Sequence, residues 1–405
     1  MPHENRRLLG ISRTVITLGI VSLLTDISSE SIYPLIPLYL TNVLHAQAIN
    51  VGIIEGIAES TASILRIFSG WLSDVLGHRK WVATAGYVLS SLSKPLLAVT
   101  GSWEQVFGVR FADRLGKGIR SAPRDALIAD VTPPEKRGLA FGLHRTLDTI
   151  GAVTGPLIAF FLLRSMAASH MTAGMEFRRL FLLSAIPAVL GALILIFFVR
   201  ERRVQRARHE APPSLSFRQF DKPFKKFLLV ATLFSIGNSS DAFLILRAQN
   251  VGISVQMVLL IYVLFNGVEA LLVAAAGHVS DRIGRRNVIM AGYLVFAAVY
   301  TGFGFARSPL AVWALFGCYG IYSALTQGVQ RAFAADLVCE KTRGTGLGAY
   351  HMLTGLALLP ASVVAGYLWD AVGPSAPFYY GAVTALISAV LLAVLFRGSA
   401  TCTDT

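Results

Sequence analysis

Long apolar runs separated by short polar stretches dominate this amino-acid sequence. About twelve of these runs approach the roughly 20 residues that an α-helix needs to cross the hydrocarbon core of a membrane. Their centres lie near Ile20, Ala62, Ser90, Val109, Val153, Leu190, Phe234, Leu264, Val295, Cys318, Leu358 and Ile387. Because most connections between the runs are only a few residues long, no soluble catalytic domain fits between them. The pattern predicts an all-α integral membrane protein with 12 transmembrane helices.

The longest polar interruption covers residues 200–226 and contains Pro212 and Pro213 among several arginines and lysines. A charged stretch with consecutive prolines is typical of a solvated linker. It predicts an N-terminal six-helix bundle over residues 1–199, a cytoplasmic linker over 200–226 and a C-terminal six-helix bundle over 227–405.

Three short elements occur twice in the sequence, 206 to 211 residues apart. The pairs are Gly70–Lys80 with Gly277–Asn287, Ser28-Ser29-Glu30 with Ser239-Ser240-Asp241, and Ala129-Asp130 with Ala335-Asp336. Each copy has an equivalent place in its half of the chain. This repetition predicts two pseudo-symmetric halves with a site between them, an architecture typical of transporters.

Composition and charge agree with a location in lipid. Hydrophobic residues make up 54% of the sequence and charged residues 15%, whereas about a quarter of the residues in a soluble domain are charged. The net charge of +13 comes largely from arginines and lysines in alternate loops. By the positive-inside rule, this distribution puts both termini on the cytoplasmic side of the membrane. Attraction to anionic lipid then explains the charge without a nucleic-acid partner.

Other chemistry is not indicated by the sequence. The three cysteines, Cys318, Cys339 and Cys402, have neither metal-ligand nor disulfide spacing. No nucleophile–base pair, phosphate-binding loop or cofactor motif stands out. We therefore expect no enzyme activity, no metal and no other cofactor, and a monomer whose partners are a small-molecule substrate, protons and the lipid bilayer.

The repeated loop element carries a specific family resemblance. Most of the pattern G-x-L-x-D-[RK]-x-G-[RK]-[RK] is filled by Gly70, Leu72, Asp74, Gly77 and Arg79 in the first copy, and by Gly277, Asp281, Arg282, Gly284, Arg285 and Arg286 in the second. This resembles the helix-2 to helix-3 motif of the major facilitator superfamily of secondary transporters. Two further stretches, Thr25–Leu40 and Gly116–Asp130, resemble a poorly characterised prokaryotic branch of that superfamily. The resemblance implies two six-helix bundles that alternate access to a central site.

Eight residues of the two loops form a candidate conformational latch. They are Gly70, Asp74, Gly77, Arg79, Gly277, Asp281, Gly284 and Arg285. Glycine at positions 70 and 277 would let helix backbones approach closely, and glycine at 77 and 284 would permit a tight turn. The latch hypothesis is that the acids and bases stabilise one of the two facing states. The alternative is a simple turn that anchors the topology.

Charged residues also lie inside the predicted helices, where they cannot face lipid cheaply. In the fourth helix, one face collects Arg110, Asp113, Arg114, Lys117, Arg120 and Arg124. In the first helix, Asp26 and Glu30 are one turn apart, a spacing at which two carboxylates can exchange a proton near neutral pH. A static salt-bridge network with the fourth helix is the alternative, and Asp148 is interpreted as structural. Candidate residues for substrate binding or proton coupling are Asp26, Glu30, Arg114, Lys117, Arg145, Asp241, Tyr322 and Gln327.

The fifth helix contains Gly142, Gly151, Gly155 and Pro156. Their spacing resembles a pattern that the superfamily's proton-coupled exporters carry. The glycines predict close packing of this helix on its neighbours, and the proline predicts a bend. Helix packing without any bearing on export is the alternative interpretation.

Three functions remain open from the sequence. The first is proton-coupled export of a small organic compound, such as a drug-like molecule or a metal chelator. The second is proton-coupled uptake of an organic anion, which the basic face of the fourth helix favours. The third is a membrane sensor or assembly factor that transports nothing.

Overall fold

The computed structural model describes residues 12–167, 173–199, 201, 220–338 and 343–396. The regular structure of these residues is entirely helical. In chain order the helices are α1 (Arg13–Asn42), α2 (Ala48–Leu76), α3 (Arg79–Val99), α4 (Trp103–Asp130), α5 (Arg137–Ala167), α6 (Ala173–Phe198), α7 (Lys222–Asn250), α8 (Val255–Ile283), α9 (Arg285–Phe305), α10 (Pro309–Asp336), α11 (Arg343–Ala371) and α12 (Ala376–Leu395).

The predicted all-α membrane fold is confirmed. Among the described residues, 11 of these helices are long and apolar enough to cross a membrane. The exception is α4, in which 9 of 28 residues are charged. A helix of this composition needs protein neighbours that keep its charges away from lipid. It is therefore the helix whose surroundings matter most for function.

Two helices are irregular near the middle of their length. In α1, a 3-10 turn at Tyr33–Leu35 interrupts the α-helix. In α7, the helical parts Lys222–Gly237 and Ala242–Asn250 are separated by a short non-helical segment. Serine hydroxyls accept backbone N–H groups there: Ser362 Oγ from Ser240 at 3.2 Å and Ser240 Oγ from Ala242 at 3.3 Å. The two copies of the Ser-Ser-acid element thus differ in local structure, because the first remains helical.

The described residues divide into two compact units. The first comprises those within Met1–Tyr39 and Thr61–Pro212, and the second those within Leu40–Ser60 and Pro213–Thr405. Most of the predicted linker 200–226 lies outside the described residues. The three-part division into residues 1–199, 200–226 and 227–405 therefore stays a prediction.

The segment Leu40–Ser60 belongs to the second unit, although it precedes the predicted linker. The carboxylate of Asp370 accepts the backbone N–H groups of Ala48 at 3.1 Å and Ile49 at 2.8 Å. The first backbone N–H groups of a helix have no acceptor within the helix, so the Asp370 carboxylate supplies one. Its negative charge also lies at the positive end of the α2 helix dipole. Ser60 Oγ donates to the Gly355 carbonyl at 2.8 Å. Sequence periodicity carries no information about such pairing over some 300 residues.

In the first unit, α1 packs against α5 and α6, and α3 packs against α4 and α6. The closest approach is at Gly86 of α3 and Gly116 of α4. A Cβ atom on either glycine would lie 2.6 Å from the carbonyl oxygen of the other. The two backbones are therefore in direct contact, as small residues allow in membrane bundles. Apolar side chains that include Val15, Tyr87 and Leu195 form a buried cluster in this unit.

In the second unit, α10 packs against α8 and α9, and α12 packs against α7 and α9. Aromatic rings fill much of the interior. Phe234 stacks on Tyr293 with ring centroids 4.0 Å apart, and Phe296 stacks on Tyr300 at 3.8 Å. Such stacked pairs add about 0.5–1.5 kcal/mol to the hydrophobic gain of burial.

Candidate functional site

The first loop element forms a compact ion-pair cluster. Arg79, at the start of α3, contacts Asp74 with Nη2 to Oδ1 at 2.6 Å and pairs through Nη1 with Asp130 at the end of α4. Nη1 also donates to the Ala126 carbonyl at 3.1 Å. The side chain of Arg79 is only 10% exposed. Gly77 makes the turn before it with φ +64°, a value that glycine adopts without strain.

The second loop element repeats this arrangement in a more exposed form. Arg285 contacts Asp336 at 2.8 Å and Asp281 at 3.8 Å, and its side chain is 28% exposed. The side chain of Asp281 is 67% exposed. Gly284 has φ +91° at the corresponding turn. The structure therefore joins two repeated elements that the sequence presents separately, since Asp130 and Asp336 belong to the duplicated Ala-Asp pair.

The glycines that open the two elements differ. A Cβ atom at Gly70 would lie 3.2 Å from the Cβ of Ala122, so α2 and α4 approach closely there. At Gly277, a Cβ atom would meet no atom within 4 Å among the described residues. The expectation of a close backbone approach at position 277 is wrong, because α8 has open space on that side.

A buried lysine organises the polar interior of the first unit. Lys94 of α3 is 1% exposed and donates from Nζ to Ser28 Oγ at 3.0 Å and Ser29 Oγ at 2.9 Å. The largest attractive charge acting on Lys94 is that of Asp113 in α4. Asp113 in turn accepts from Ser90 Oγ at 2.6 Å. The Ser-Ser pair of α1 thus serves as an acceptor for a lysine.

The basic face of α4 lies mostly inside the protein. Arg110, Arg114 and Arg120 are at most 6% exposed. Arg110 and Arg114 both lie over the ring of Tyr33, with guanidinium carbons 5.6 Å and 5.8 Å from its centroid. Lys117, from the middle of the same face, is exposed. The protein thus covers the three arginines, whereas the described residues leave Lys117 uncovered.

The candidate acids of α1 lie beside this basic face and beside α5. Asp26 and Glu30 are partly buried. Charges of both signs act on Asp26: the acids Asp148 and Glu30, and the bases Arg120 and Lys117. Arg145 of α5 is exposed.

The candidate residues of the second unit belong to three separate hydrogen-bonded groups. Asp241 accepts from the Tyr319 hydroxyl at 2.7 Å, and Asn238 Nδ2 donates to the Tyr322 hydroxyl at 3.1 Å. In the third group, Gln327 Nε2 donates to Ser323 Oγ at 2.7 Å. Ser323 Oγ donates to Glu269 Oε2 at 2.8 Å.

The glycines of α5 fall into two kinds. A Cβ atom at Gly151 would lie 2.8 Å from the Leu23 carbonyl oxygen, and one at Gly155 would lie 2.7 Å from the Ile27 carbonyl oxygen. Both glycines therefore sit against the backbone of α1. At Gly142 a Cβ atom would meet nothing within 4 Å in the described part of the chain, so close packing is not found there.

This difference gives a prediction with an internal control. Gly151→Leu is expected to lower the stability of the purified protein by about 1–3 kcal/mol, because the side chain would be forced into α1. Gly142→Ala is expected to be neutral or stabilising by up to about 1 kcal/mol, because alanine favours a helix. Thermal unfolding in detergent measures both. Equal effects of the two substitutions would contradict the packing interpretation.

One ionisable pair was not singled out in the sequence. His144 and Asp148 of α5 lie one helical turn apart, with His144 Nδ1 3.4 Å from Asp148 Oδ2. The i,i+4 spacing of these two residues is the signal that would have revealed the pair. His144 is 4% exposed.

Charged side chains buried within bundles of membrane helices mark pathways for ions or substrates. Together with the two helical units, they define a membrane transport protein and not an enzyme. The chain belongs to the major facilitator superfamily, whose family description matches residues 18–246 and 227–403.

Individual proteins resemble the chain over nearly its whole length. An uncharacterized MFS-type transporter of Methanocaldococcus jannaschii is 36% identical over 396 residues, which cover 96% of both chains. The multidrug resistance protein MdtH of Cronobacter sakazakii is 24% identical over 356 residues, 84% of this chain and 81% of MdtH. The crystal structure of the nucleoside transporter NupG has a similar fold, with a TM-score of 0.74 at 15% identity over 96% of this chain and 100% of NupG.

Proposed function

We propose that this protein is a proton-coupled transporter that exports a small organic molecule, such as a drug-like compound or a metal chelator. The observation that carries the proposal is the group of ionisable residues in the first unit, where Asp26 experiences charges from both α4 and α5. A carboxylate in such surroundings can bind and release a proton when neighbouring charges move. Export is supported by the likeness to MdtH, which is named a multidrug resistance protein.

The remaining expectations complete this proposal. The protein would work as a monomer in a bacterial inner membrane, with both termini in the cytoplasm, as the loop arginines and lysines favour. The ion-pair clusters of Arg79 and Arg285 would stabilise one facing state and open in the other. Substrate and proton would reach the residues named above by alternating access.

Transport direction tests the proposal. Everted and right-side-out membrane vesicles that contain the protein are energised, and uptake of a cationic dye such as ethidium is followed by fluorescence. An exporter that exchanges substrate for protons accumulates its substrate in everted vesicles, and collapse of the pH gradient abolishes this accumulation. A panel of metal chelators is tested in the same way. No gradient-dependent movement of any compound in either orientation would refute transport.

Glu30 provides a specific prediction. Glu30→Gln is expected to abolish proton-coupled movement and to leave the fold intact, because glutamine keeps the shape of the side chain but cannot carry the proton. The control is Glu104→Gln, the same change at an exposed position in the first turn of α4. Transport and its pH dependence are measured in vesicles, and the amount of folded protein by gel filtration. Unchanged transport with unchanged pH dependence would remove Glu30 from the mechanism.

Uptake of an organic anion is a second candidate, and the balance of charge in the first unit favours it. Within the described helices of this unit, the bases are Arg13, Arg66, Arg79, Lys80, Lys94, Arg110, Arg114, Lys117, Arg120, Arg124, Arg137, Arg145, Arg164, Arg178 and Arg179, and the acids are Asp26, Glu30, Asp74, Glu104, Asp113, Asp125, Asp130, Asp148 and Glu176. Bases outnumber acids, which suits a substrate that brings negative charge. Gradient-dependent accumulation of an anionic dye in right-side-out vesicles would support uptake over export.

A further inference from the structure

The pair formed by His144 and Asp148 lies in the interior of the first unit. Nδ1 of His144 is 3.4 Å from Oδ2 of Asp148, and the side chains are 5% and 15% exposed. The outer atoms of the pair, Nε2 of His144 and Oδ1 of Asp148, are buried without a hydrogen-bond partner in the described residues. Leaving such polar atoms unsatisfied costs about 1–3 kcal/mol each. A pair with a purely structural role would gain no stability from burying these two atoms without partners.

Backbone contact brings this pair close to Asp26. Gly151 follows Asp148 by about one turn, and a Cβ atom at Gly151 would lie 2.9 Å from the Cβ of Asp26. α1 and α5 therefore have no space between them at this level. Of the charged groups around Asp26, Asp148 acts on it most strongly.

The ionisable groups are staggered along the two helices. With a rise of about 1.5 Å per residue, His144 lies about 10 Å from the start of α5 at Arg137, and Asp148 about 16 Å. On the same scale, Asp26 lies about 20 Å and Glu30 about 26 Å from the start of α1 at Arg13. His144, Asp148, Asp26 and Glu30 thus follow one another from the helix starts toward the middle of the unit.

Of the helices that pack against α5, α1 and α4 present charges near this pair, whereas the charges in the first turns of α6 lie toward the other end of α5. From α1 these are Asp26 and Glu30. From α4 they are Arg120 and Lys117, which act on Asp26, and Arg124 and Asp125, which act on His144. α5 itself adds Arg145. α6 carries Glu176, Arg178 and Arg179 in its first turns, near the opposite end of α5 from His144.

We propose that His144 and Asp148 form a second proton-binding site, which exchanges protons with Asp26. A proton taken up by the imidazole passes from Nδ1 to Oδ2 of Asp148, which leaves a neutral histidine and a carboxylic acid. Transfer from Asp148 to the Asp26 carboxylate then restores the Asp148 carboxylate. Only protons move, and water supplies and receives them. The inference rests on the proposed proton coupling, and it adds the route by which the proton reaches α1.

Histidine NMR tests the proposal without any substrate. The full chain, with isotope-labelled imidazoles, is titrated in lipid nanodiscs, and the signal absent from His144→Asn assigns His144 among the eight histidines. We expect the His144 signal to titrate, because the proposed route loads the imidazole with a proton and unloads it again. Asp148→Asn and Asp26→Asn should each move its midpoint by about one pH unit. Glu135→Gln, the loss of an exposed carboxylate just before α5, should leave the midpoint unchanged.

The outcomes separate a proton site from a structural pair. A His144 midpoint that responds to Asp148→Asn but not to Asp26→Asn would overturn the exchange with α1, as would a His144 signal that does not titrate. If Asp26→Asn does not fold, Glu30→Gln on the next turn provides the second test, and a midpoint that Glu30→Gln leaves in place would count against the proposal. Because the titration does not measure transport, it can overturn the His144–Asp148 site while the vesicle experiments support proton-coupled export. It can also support the site while the vesicle experiments refute export.

Discussion

Replacing Arg79 by glutamine is expected to lower the stability of the protein far more than replacing Arg285 in the same way. Arg79 is the shared partner of Asp74 and Asp130, and its side chain is 10% exposed. Its removal leaves two partly buried carboxylates without their cation, which costs about 3 kcal/mol. Arg285 is 28% exposed, and its partners Asp336 and Asp281 are 39% and 67% exposed, so the corresponding loss is at most about 1 kcal/mol.

The two loop elements therefore act as each other's control. Thermal unfolding of Arg79→Gln and Arg285→Gln in the same detergent compares an identical change at the arginine that forms the ion pairs of each cluster. Raising the salt concentration is expected to weaken the contribution of Arg285 more, because exposed ion pairs are screened. Similar losses of stability in both variants would mean that the burial of Arg79 does not strengthen its ion pairs. A larger loss for Arg285 would reverse the assignment of the stronger cluster.

Lys94→Met is expected to destabilise the first unit by about 3–5 kcal/mol and to abolish transport. The lysine is 1% exposed and donates to Ser28 and Ser29 of α1. Methionine fills a similar volume, so the effect arises from charge and hydrogen bonding. Asp113, which is 7% exposed, loses its main attractive charge in this variant.

A second substitution distinguishes charge pairing from packing. In Lys94→Met combined with Asp113→Leu, the Asp113 carboxylate is removed together with the lysine charge that acts on it most strongly. We expect the double variant to be more stable than the sum of the two single effects predicts, by at least about 1 kcal/mol. Unfolding of the two single variants and the double variant completes the cycle. Strictly additive effects on stability would show that Lys94 and Asp113 do not interact energetically.

The helices and the ends of the loops could be predicted from the sequence because their signals are local. Apolar length predicted the spans, and Gly77 and Gly284 predicted turns that the structure contains. The charged face of α4 was predicted by helical spacing alone, and Arg110, Arg114 and Arg120 are indeed buried. Each of these features depends on residues close together in the chain.

Features that depend on distant partners could not be predicted in this way. The break in α7 relies on Ser362, which lies more than 100 residues further on and accepts the N–H of Ser240. The ion pair of Arg79 with Asp130 requires the packing of α3 on α4, although both residues were recognised as parts of repeats. The open space at Gly277 likewise follows from the position of a neighbouring helix and not from the motif.

The contact between Gly86 and Gly116 has a consequence for biogenesis. A segment with the charges of α4 is too polar to partition into a bilayer alone during synthesis. Only a few residues join it to α3, whose Lys94 offers a counter-charge to Asp113. We therefore expect α3 and α4 to leave the translocon as a pre-formed hairpin, in which the glycine crossing lets Lys94 approach Asp113 before either helix meets acyl chains.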